Sequence, residues 1–587
     1  MSKASRFDGI TRCAGMQESP AHMERLVRLR PWQKAALDSF EAHTRPDFLA
    51  VATPGAGKTT FALMAALRAM RARTVKRVVV VAPTAHLKSQ WAQAAARFRL
   101  QLDPAWAASS GRLPPDMHGI VTTYQQVASS AESLRALTAD AFVILDEIHH
   151  ASDDRAWGEA IRMAFDPAAK RLALSGTPFR SDTGAIPFVE YLLEEAIANY
   201  EYGYDDALAD GGVVRPAYFP RINGFMEWVA PDGGLNSASF DDALDRTKSA
   251  QRLRTALSAD GEWLPAVLSQ AHDRLMKLRE RVPNAGGLVI ATDQDHARAI
   301  SEMMRTRLRV TPTLALSDDP NASDRIAHFA NGTQPWIVAV RMVSEGVDIP
   351  RLGIGVFATT TTTELFFRQA VGRLVRWNRG QRRQKAYLFI PDDPRLRTYA
   401  FQIAEKRRHS LRKRAEDAGD ALDGPRETDP TELDKQVGEP DEQMSLFAAL
   451  SAVVTDGDHP VQSVFDDDYE DDVDAGLDEH GDAIMPVDVY PDAYTIDLID
   501  LTSGLQGTLF GGGPMADSGG LSRYEQKEAM RLENAELTRE LARFTNLGHA
   551  QINGQLNRAS GVTRIDEATV EQLTKRAEEA KKWLKRL

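Results

Sequence analysis

Cysteine is nearly missing from this chain: Cys13 is the single one in 587 residues. One thiol excludes an internal disulfide framework and any zinc or iron–sulfur site built from several cysteines. The scarcity fits a reducing setting, so a cytoplasmic location is expected. Also missing is an apolar run near the roughly 18 residues that a membrane span needs. The opening MSKASRFDG lacks the charged-then-apolar profile of a secretory leader. A soluble chain with no membrane partner is expected, too long for one core and divided into about three or four folded units.

Positive charge is also short, with 71 Lys and Arg against 83 Asp and Glu, a net of −12. That balance seems to argue against nucleic acid, but it is unevenly spread. Between Glu427 and Asp500 stand 23 acidic residues against one basic residue, Lys435, a local net of −22. Subtracting this from −12 leaves the rest of the chain at +10. A basic folded part and a separate acidic segment remove the objection to a polyanionic partner.

Phe48 to Thr60, FLAVATPGAGKTT, is the stretch around which the chain is organised. A short apolar strand runs into a turn, Thr53-Pro54-Gly55-Ala56-Gly57, and Lys58-Thr59-Thr60 opens a helix. Strand, glycine turn and helix N-terminus aim backbone N–H groups at one point, a cradle for a nucleotide polyphosphate. Lys58 would reach the β- and γ-phosphates and the Thr59 hydroxyl would ligate Mg²⁺. Ahead of it, Leu29-Arg30-Pro31-Trp32-Gln33 offers an amide at Gln33 that matches the N6/N7 edge of adenine. A helix-capping glutamine would have the same sequence.

Downstream strands end in polar residues, where open α/β sheets bind ligands. Val78 to Ala82 leads to Pro83-Thr84 and APTAHLKSQW, and Gly119 to Val121 ends in Thr122-Thr123-Tyr124. Turn and cap chemistry is the plainer explanation of such hydroxyls. The apolar strand Ala141 to Leu145 delivers Asp146-Glu147-Ile148-His149. Asp146 suits Mg²⁺, and Glu147 can orient and deprotonate a water. Arg171 to Leu174 then ends in Ser175-Gly176-Thr177-Pro178.

In this order, the Gln33 element, AxxxxGKT, APT…LKSQW, DEIH and SGTP resemble the first motor domain of a superfamily 2 DExH-box helicase or translocase. The type III restriction-helicase and excision-repair translocase branch is the nearest in flavour, and the resemblance covers about residues 25–415. It implies a second motor domain, which Gly286 to Thr292 would open with a strand and a following helix. Ser344 to Pro350 is similar to motif V, with Gly346 and Asp348 toward the nucleotide and Arg341 where threonine is usual. Gln369, Gly372, Arg373 and Arg376 are similar to motif VI, and i, i+3, i+4, i+7 spacing places them on one helix face. The resemblance implies that Arg373 and Arg376 act with Gln369 as γ-phosphate sensors and fingers. It assigns Pro83, Thr84, Thr122, Thr123, Thr292 and Arg341 to nucleic acid, and His149, Ser175 and Thr177 to coupling.

The expected fold is α/β: two tandem RecA-like domains, parallel sheets flanked by helices, then a disordered acidic tether and a small C-terminal helical module. The boundaries are an arm at 1–24, domain 1 at 25–200, a connection at 201–285, domain 2 at 286–415, the tether at 416–520 and the module at 521–587. In the module, Met530, Leu537, Leu541 and Phe544 suggest one helix, and Val570, Leu573, Ala577, Ala580, Leu584 and Leu587 another. A helical bundle, self-association through the last helix, or a DNA-touching module would each use that pattern. Within the tether, Gln443-Met444-Ser445-Leu446-Phe447 is similar to peptides that hold the bacterial sliding clamp, with a poorer copy at Gln506 to Phe510.

The expected function is nucleic-acid-dependent ATP hydrolysis with Mg²⁺ that drives translocation or unwinding, on DNA before RNA. An RNA helicase or ribonucleoprotein remodeller, and an ATP-sensing switch without turnover, are the rivals.

Overall fold

A computed structural model gives the fold and describes residues 26–110, 113–152, 155–176, 186–192, 195–230, 233–316, 318–319, 321–340, 349–378, 381, 384–417, 448–453, 495–498, 522–545 and 547–587. The arm at 1–24, Thr177, Arg341, Gly346, Asp348 and both clamp-like peptides, 443–447 and 506–510, lie outside these residues.

The first domain contains β1 (Leu26–Arg28), α1 (Pro31–Ala42), β2 (Asp47–Ala52), α2 (Lys58–Arg71), β3 (Arg77–Ala82) and α3 (Ala85–Arg97). It continues through β4 (Leu102–Asp103), β5 (Gly119–Thr123), α4 (Tyr124–Thr138), β6 (Ala141–Leu145) and β7 (Lys170–Ser175). After a hairpin of β8 (Tyr191–Leu192) and β9 (Glu195–Ala196), β10 (Tyr200–Tyr202) completes a seven-stranded sheet, β10-β2-β7-β6-β3-β5-β4. Its ladders are all parallel. The strand sequences explain this, because β3 and β6 are apolar at consecutive positions and so suit burial on both faces. Val78 and Val80 join one core and Val79 and Val81 another, one on each side of the sheet.

The connection then contributes β11 (Ala217–Tyr218) and β12 (Arg221–Ile222) to the second sheet, followed by the hairpin β13 (Phe225–Val229) and β14 (Leu235–Ser239). Two helices follow at Arg246–Ala256 and Trp263–Arg281, and Pro265 sits in the first turn of the second, where its missing N–H costs nothing. The second sheet is parallel, ordered β11-β19-β18-β15-β17-β16, from β15 (Gly286–Ala291), β16 (Thr313–Ala315), β17 (Trp336–Ala339), β18 (Leu352–Ala358) and β19 (Ala386–Pro391). Helix α5 (Glu364–Leu374) lies between β18 and β19 in sequence. These are two RecA-like α/β units, parallel sheets with flanking helices.

Two short pieces of the acidic segment lie among the described residues, and both are strands. β20 (Ala448–Val453) pairs antiparallel with β13, and β21 (Thr495–Asp497) pairs antiparallel with β1. Both are islands in the acidic stretch with few charges, and each finds an open strand edge that supplies backbone partners. Leu498, next to β21, is buried in the main core.

The C-terminal module is a three-helix bundle of α6 (Arg523–Phe544), α7 (His549–Ser560) and α8 (Val570–Leu584). Ser522 with Glu525 and Thr569 with Gln572 form capping boxes on α6 and α8. Leu573, Ala577 and Ala580 of α8 are buried within the bundle. The stripe is therefore spent inside the module, which removes the basis for self-association through it. Phe544 and Leu587, expected in that core, stand 66% and 61% exposed. At the bundle centre, buried Arg576 donates to three asparagines, Asn534, Asn553 and Asn557. The module docks on the β4–β5 side of the first domain. Lys527 meets Asp116 at 2.6 Å, the Val570 N–H donates to the same carboxylate, and the Arg523 N–H donates to Gln101.

Candidate nucleotide and nucleic-acid site

The phosphate loop leaves β2 through Thr53 and enters α2 at Lys58. Gly55 and Gly57 adopt φ of +84° and +95°, a left-handed backbone that glycine enters without a Cβ penalty. Gly57 caps α2; the Thr60 and Phe61 N–H groups turn back to its carbonyl, which leaves those of Lys58 and Thr59 without a carbonyl inside the helix. Thr53 and Ala56 are buried, while Pro54, Lys58, Thr59 and Thr60 are half-buried along the rim.

Helix α1 holds this loop from beneath. The Trp32 indole and the Arg30 guanidinium both donate to the Ala56 carbonyl, at 3.1 and 3.0 Å. Trp32 itself stacks on Tyr202 of β10. Gln33 is 3% exposed and its amide is occupied at both ends. Its oxygen accepts from the Arg30 N–H at 2.8 Å and its nitrogen donates to the Gly57 carbonyl at 2.9 Å. In this conformation Gln33 caps α1 and braces the phosphate loop, the alternative that the sequence left open beside an adenine contact.

At the carboxyl end of β6 the two acids diverge. Glu147 has φ of +46°, a strained conformation for a residue with a side chain, and the turn carries its carboxylate away from Asp146. Glu147 accepts from Lys58 Nζ at 3.1 Å and from the Gly176 N–H at 2.9 Å. Burial disfavours its charge, but Lys58, His149 and the Gly176 N–H outweigh that and hold its pKa below the usual carboxylate range. Asp146 goes the other way, raised by burial and by the neighbouring Glu147 charge. Asp146 Oδ2 accepts from the Trp91 indole of α3 at 2.8 Å, and its main-chain carbonyl accepts from the Tyr124 hydroxyl at 2.8 Å.

Across the cleft, α5 brings the second domain to this cluster. The Gln369 amide lies 3.1 Å from His149 Nε2. With that nitrogen accepting, the His149 proton sits on Nδ1, which faces Ser175 Oγ at 3.4 Å and Glu147 Oε2 at 3.7 Å. Gly372 packs on the phosphate loop so closely that a Cβ there would stand 2.5 Å from Pro54 Cγ. Arg373 is half-buried on the helix, but Arg376 is not on that face. The helix ends at Leu374, and Arg376 forms an antiparallel bridge with Val214 of the connection while its Cγ faces Gly55. Buried Arg215 explains the stop, because its guanidinium donates to the Leu374 carbonyl and its N–H to that of Val375. Sequence reading missed Trp91, Tyr124 and Arg215, although Trp91 sits inside the LKSQW motif.

The residues expected at nucleic acid are placed unevenly. Thr84 is exposed at the start of α3 with no cap hydrogen bond from its side chain, and Pro83 beside it is half-buried. Thr122 is fully buried in β5, a strand covered on both faces, and presents no surface in this conformation. Thr123 caps α4 by accepting from the Gln126 N–H at 3.2 Å. Thr292 is half-buried at the end of β15, its hydroxyl 3.4 Å from the Ala358 carbonyl.

A family model described as "Type III restriction enzyme, res subunit" matches residues 26–180. An uncharacterized protein of Mycobacterium tuberculosis is 48% identical over 404 residues, which cover 68% of this chain and 67% of that protein. One of Mycobacterium leprae is 44% identical over 441 residues, 74% of this chain and 73% of that one. The DNA 3′-5′ translocase XPB2 of Sulfurisphaera tokodaii is 26% identical over 371 residues, 60% of this chain and 79% of the translocase.

Proposed function

We propose that this chain, which belongs to the superfamily 2 helicases and translocases together with its mycobacterial relatives, hydrolyses ATP between its two RecA-like domains to move along nucleic acid, DNA in preference to RNA. One observation carries the reading: Lys58, Glu147 and Gly176 of the first domain meet through His149 the amide of Gln369 from the second. Phosphate loop, base and sensor stand on separate elements that only a closed cleft brings together.

The residues fit Mg·ATP by the chemistry of their donors: a loop with two left-handed glycines, a lysine and a hydroxyl at the helix start, and the half-buried carboxylate of Asp146 at the end of β6. Thr59 and Asp146 would hold Mg²⁺ jointly with phosphate oxygens, the usual arrangement for this ion. When bound, Mg·ATP supplies the phosphoryl group and the charge that neutralises Asp146. Lys58 then turns from Glu147 to the phosphates. Glu147 Oε1, released, orients the attacking water and accepts its proton, while Oε2 stays fixed by the Gly176 N–H. Arg373 stabilises the charge that develops on the transferred group, with Arg376 closing over Gly55. Gly346 and Asp348 complete the nucleotide side and Arg341 the nucleic-acid side in this proposal, and Thr177 joins His149 and Ser175 in coupling.

The preference for DNA rests on the similarity to a DNA translocase, while the basic balance outside the acidic segment suits either nucleic acid. The test is the ATPase rate with single-stranded DNA, duplex DNA and RNA across a salt series, since phosphate contacts weaken with salt. Stimulation by DNA that falls with salt is expected. Equal rates with and without every nucleic acid would overturn the reading.

A further inference from the structure

Asp146 is gripped from two sides by helices that begin where nucleic acid is expected. Helix α3 starts just after exposed Thr84, and two turns later Trp91 donates to Asp146 Oδ2 at 2.8 Å. Helix α4 starts just after Thr123, and its first residue, Tyr124, donates to the Asp146 carbonyl at 2.8 Å. Both aromatic residues are buried, Trp91 to 3% and Tyr124 to 0% exposure, so both donors reach Asp146 from inside the domain. Packing alone requires neither polar atom. The two donors converge on one residue from different helices.

We propose that Trp91 and Tyr124 are positioning residues that couple the nucleic-acid edge of the first domain to the metal-holding carboxylate, a proposal that rests on the ATPase reading above. An indole N–H can only donate, so it fixes Oδ2 as an acceptor and leaves Oδ1 free to meet the ion or one of its waters. Tyr124 fixes the main chain at the same residue, so the carboxylate cannot swing as a unit. A strand held at Thr84 and Thr123 restrains the starts of α3 and α4, and through them the two donors. By reciprocity, Mg-nucleotide held at Asp146 tightens the same edge on nucleic acid.

The test uses full-length protein with Tyr124→Phe, which removes only the hydroxyl donor, and Trp91→Phe, which removes the indole donor with the five-membered ring that carries it and leaves a smaller aromatic ring in its place. Three quantities are read: the Mg²⁺ dependence of fluorescent ADP binding without nucleic acid, the stimulation of ATPase by a DNA oligonucleotide, and the thermal midpoint. Trp91→Phe is expected to need about tenfold more Mg²⁺ for half its effect, the usual cost of losing an outer-shell partner. Its affinity for ADP in EDTA should match wild type, and stimulation by DNA should fall. Tyr124→Phe should shift both in the same direction by less. Mg²⁺ curves and stimulation equal to wild type in both variants would overturn the proposal, as would a lowered thermal midpoint with the Mg²⁺ curve unmoved. A wild type that neither binds nucleotide with Mg²⁺ nor responds to DNA would overturn the functional reading, and the proposal with it.

Discussion

Lys58 Nζ donates to Glu147 Oε1 at 3.1 Å, and their side chains are only 12% and 25% exposed. The two charges that a bound nucleotide must separate therefore neutralise each other, which keeps either from standing buried and alone. Glu147→Gln should bind ATP with undiminished affinity, because the lysine is released from its partner. Its turnover in the presence of DNA should fall by about 10²–10⁴-fold, the range for loss of a general base. Lys58→Ala should instead lose nucleotide affinity. Equilibrium binding of a fluorescent ATP analogue beside steady-state ATPase separates the two, and near-normal turnover in Glu147→Gln would sink the mechanism.

Gly372 gives a sharper handle on cleft closure than either arginine. A Cβ at this position would stand 2.5 Å from Pro54 Cγ and 2.9 Å from its Cβ, so either α5 or the phosphate loop must shift. Gly372→Ala should wedge α5 away from the phosphate loop and separate Gln369 from His149. Nucleotide should still bind the first domain, while DNA-stimulated ATPase drops at least tenfold. Arg373→Ala should produce the same split without the wedge. An unaffected rate in Gly372→Ala would mean that the two domains do not approach through this contact during turnover.

Much of this was legible in the sequence because strand-end chemistry is local. β2, β3, β6 and β7 announce themselves as apolar runs, and the polar residues that follow must lie at one edge of a parallel sheet. What was not legible depends on partners far along the chain. Whether the Gln33 amide faces a base or caps α1 is decided by the Gly57 carbonyl 24 residues on. Arg376 leaves its helix because Arg215, 159 residues before Leu374, takes the last carbonyls. Composition marked the acidic segment as unable to build a core, but it could not foresee that two short islands would borrow strand edges from elsewhere.

Those strands change what a deletion should do. Removing 427–500 takes away β20 and β21, exposing the edges of β13 and β1 and uncovering Ile496 and Leu498 contacts in the main core. This deletion should lower the thermal midpoint by several degrees, which corresponds to about 1–2 kcal/mol. Removing 454–494 alone spares both strands while taking away 14 of the 23 acidic residues, and should leave midpoint and ATPase at wild-type values. Equal midpoints for the two deletions would deny the strands any structural part.

The C-terminal module hangs on Asp116. Lys527 is 3% exposed and Asp116 is 11% exposed at a separation of 2.6 Å, so neither charge can turn to water when its partner is removed. Asp116→Ala also strands the Val570 N–H. The cost should be about 3–5 kcal/mol, the usual range for breaking a buried pair, enough to undock the module. Hydrogen exchange should then rise in α6 and α8 and at Gln101, while β2 and α2 stay protected. Replacing both partners with apolar residues should restore much of the protection. Unchanged exchange in Asp116→Ala would place the docking energy elsewhere.

The same docking surface carries a pH dependence. His118 Nδ1 accepts from the Gln101 N–H at 2.9 Å, which requires a lone pair on that nitrogen. Burial first and the Arg523 charge second, opposed by Asp116, together lower its pKa from 6.5 to about 4. The folded pKa is depressed, so between these values the unfolded chain takes up a proton that the native chain refuses. Stability from this group is therefore complete above pH 6.5 and is lost as pH falls toward 4. The loss should reach about 3 kcal/mol at most. His118→Asn keeps an acceptor near the Gln101 N–H and removes the titration. Thermal midpoints measured from pH 7 to about pH 4 should fall more steeply for wild type than for this variant. Parallel slopes would mean that His118 charges freely and that the acid sensitivity of the docked module comes from its carboxylates.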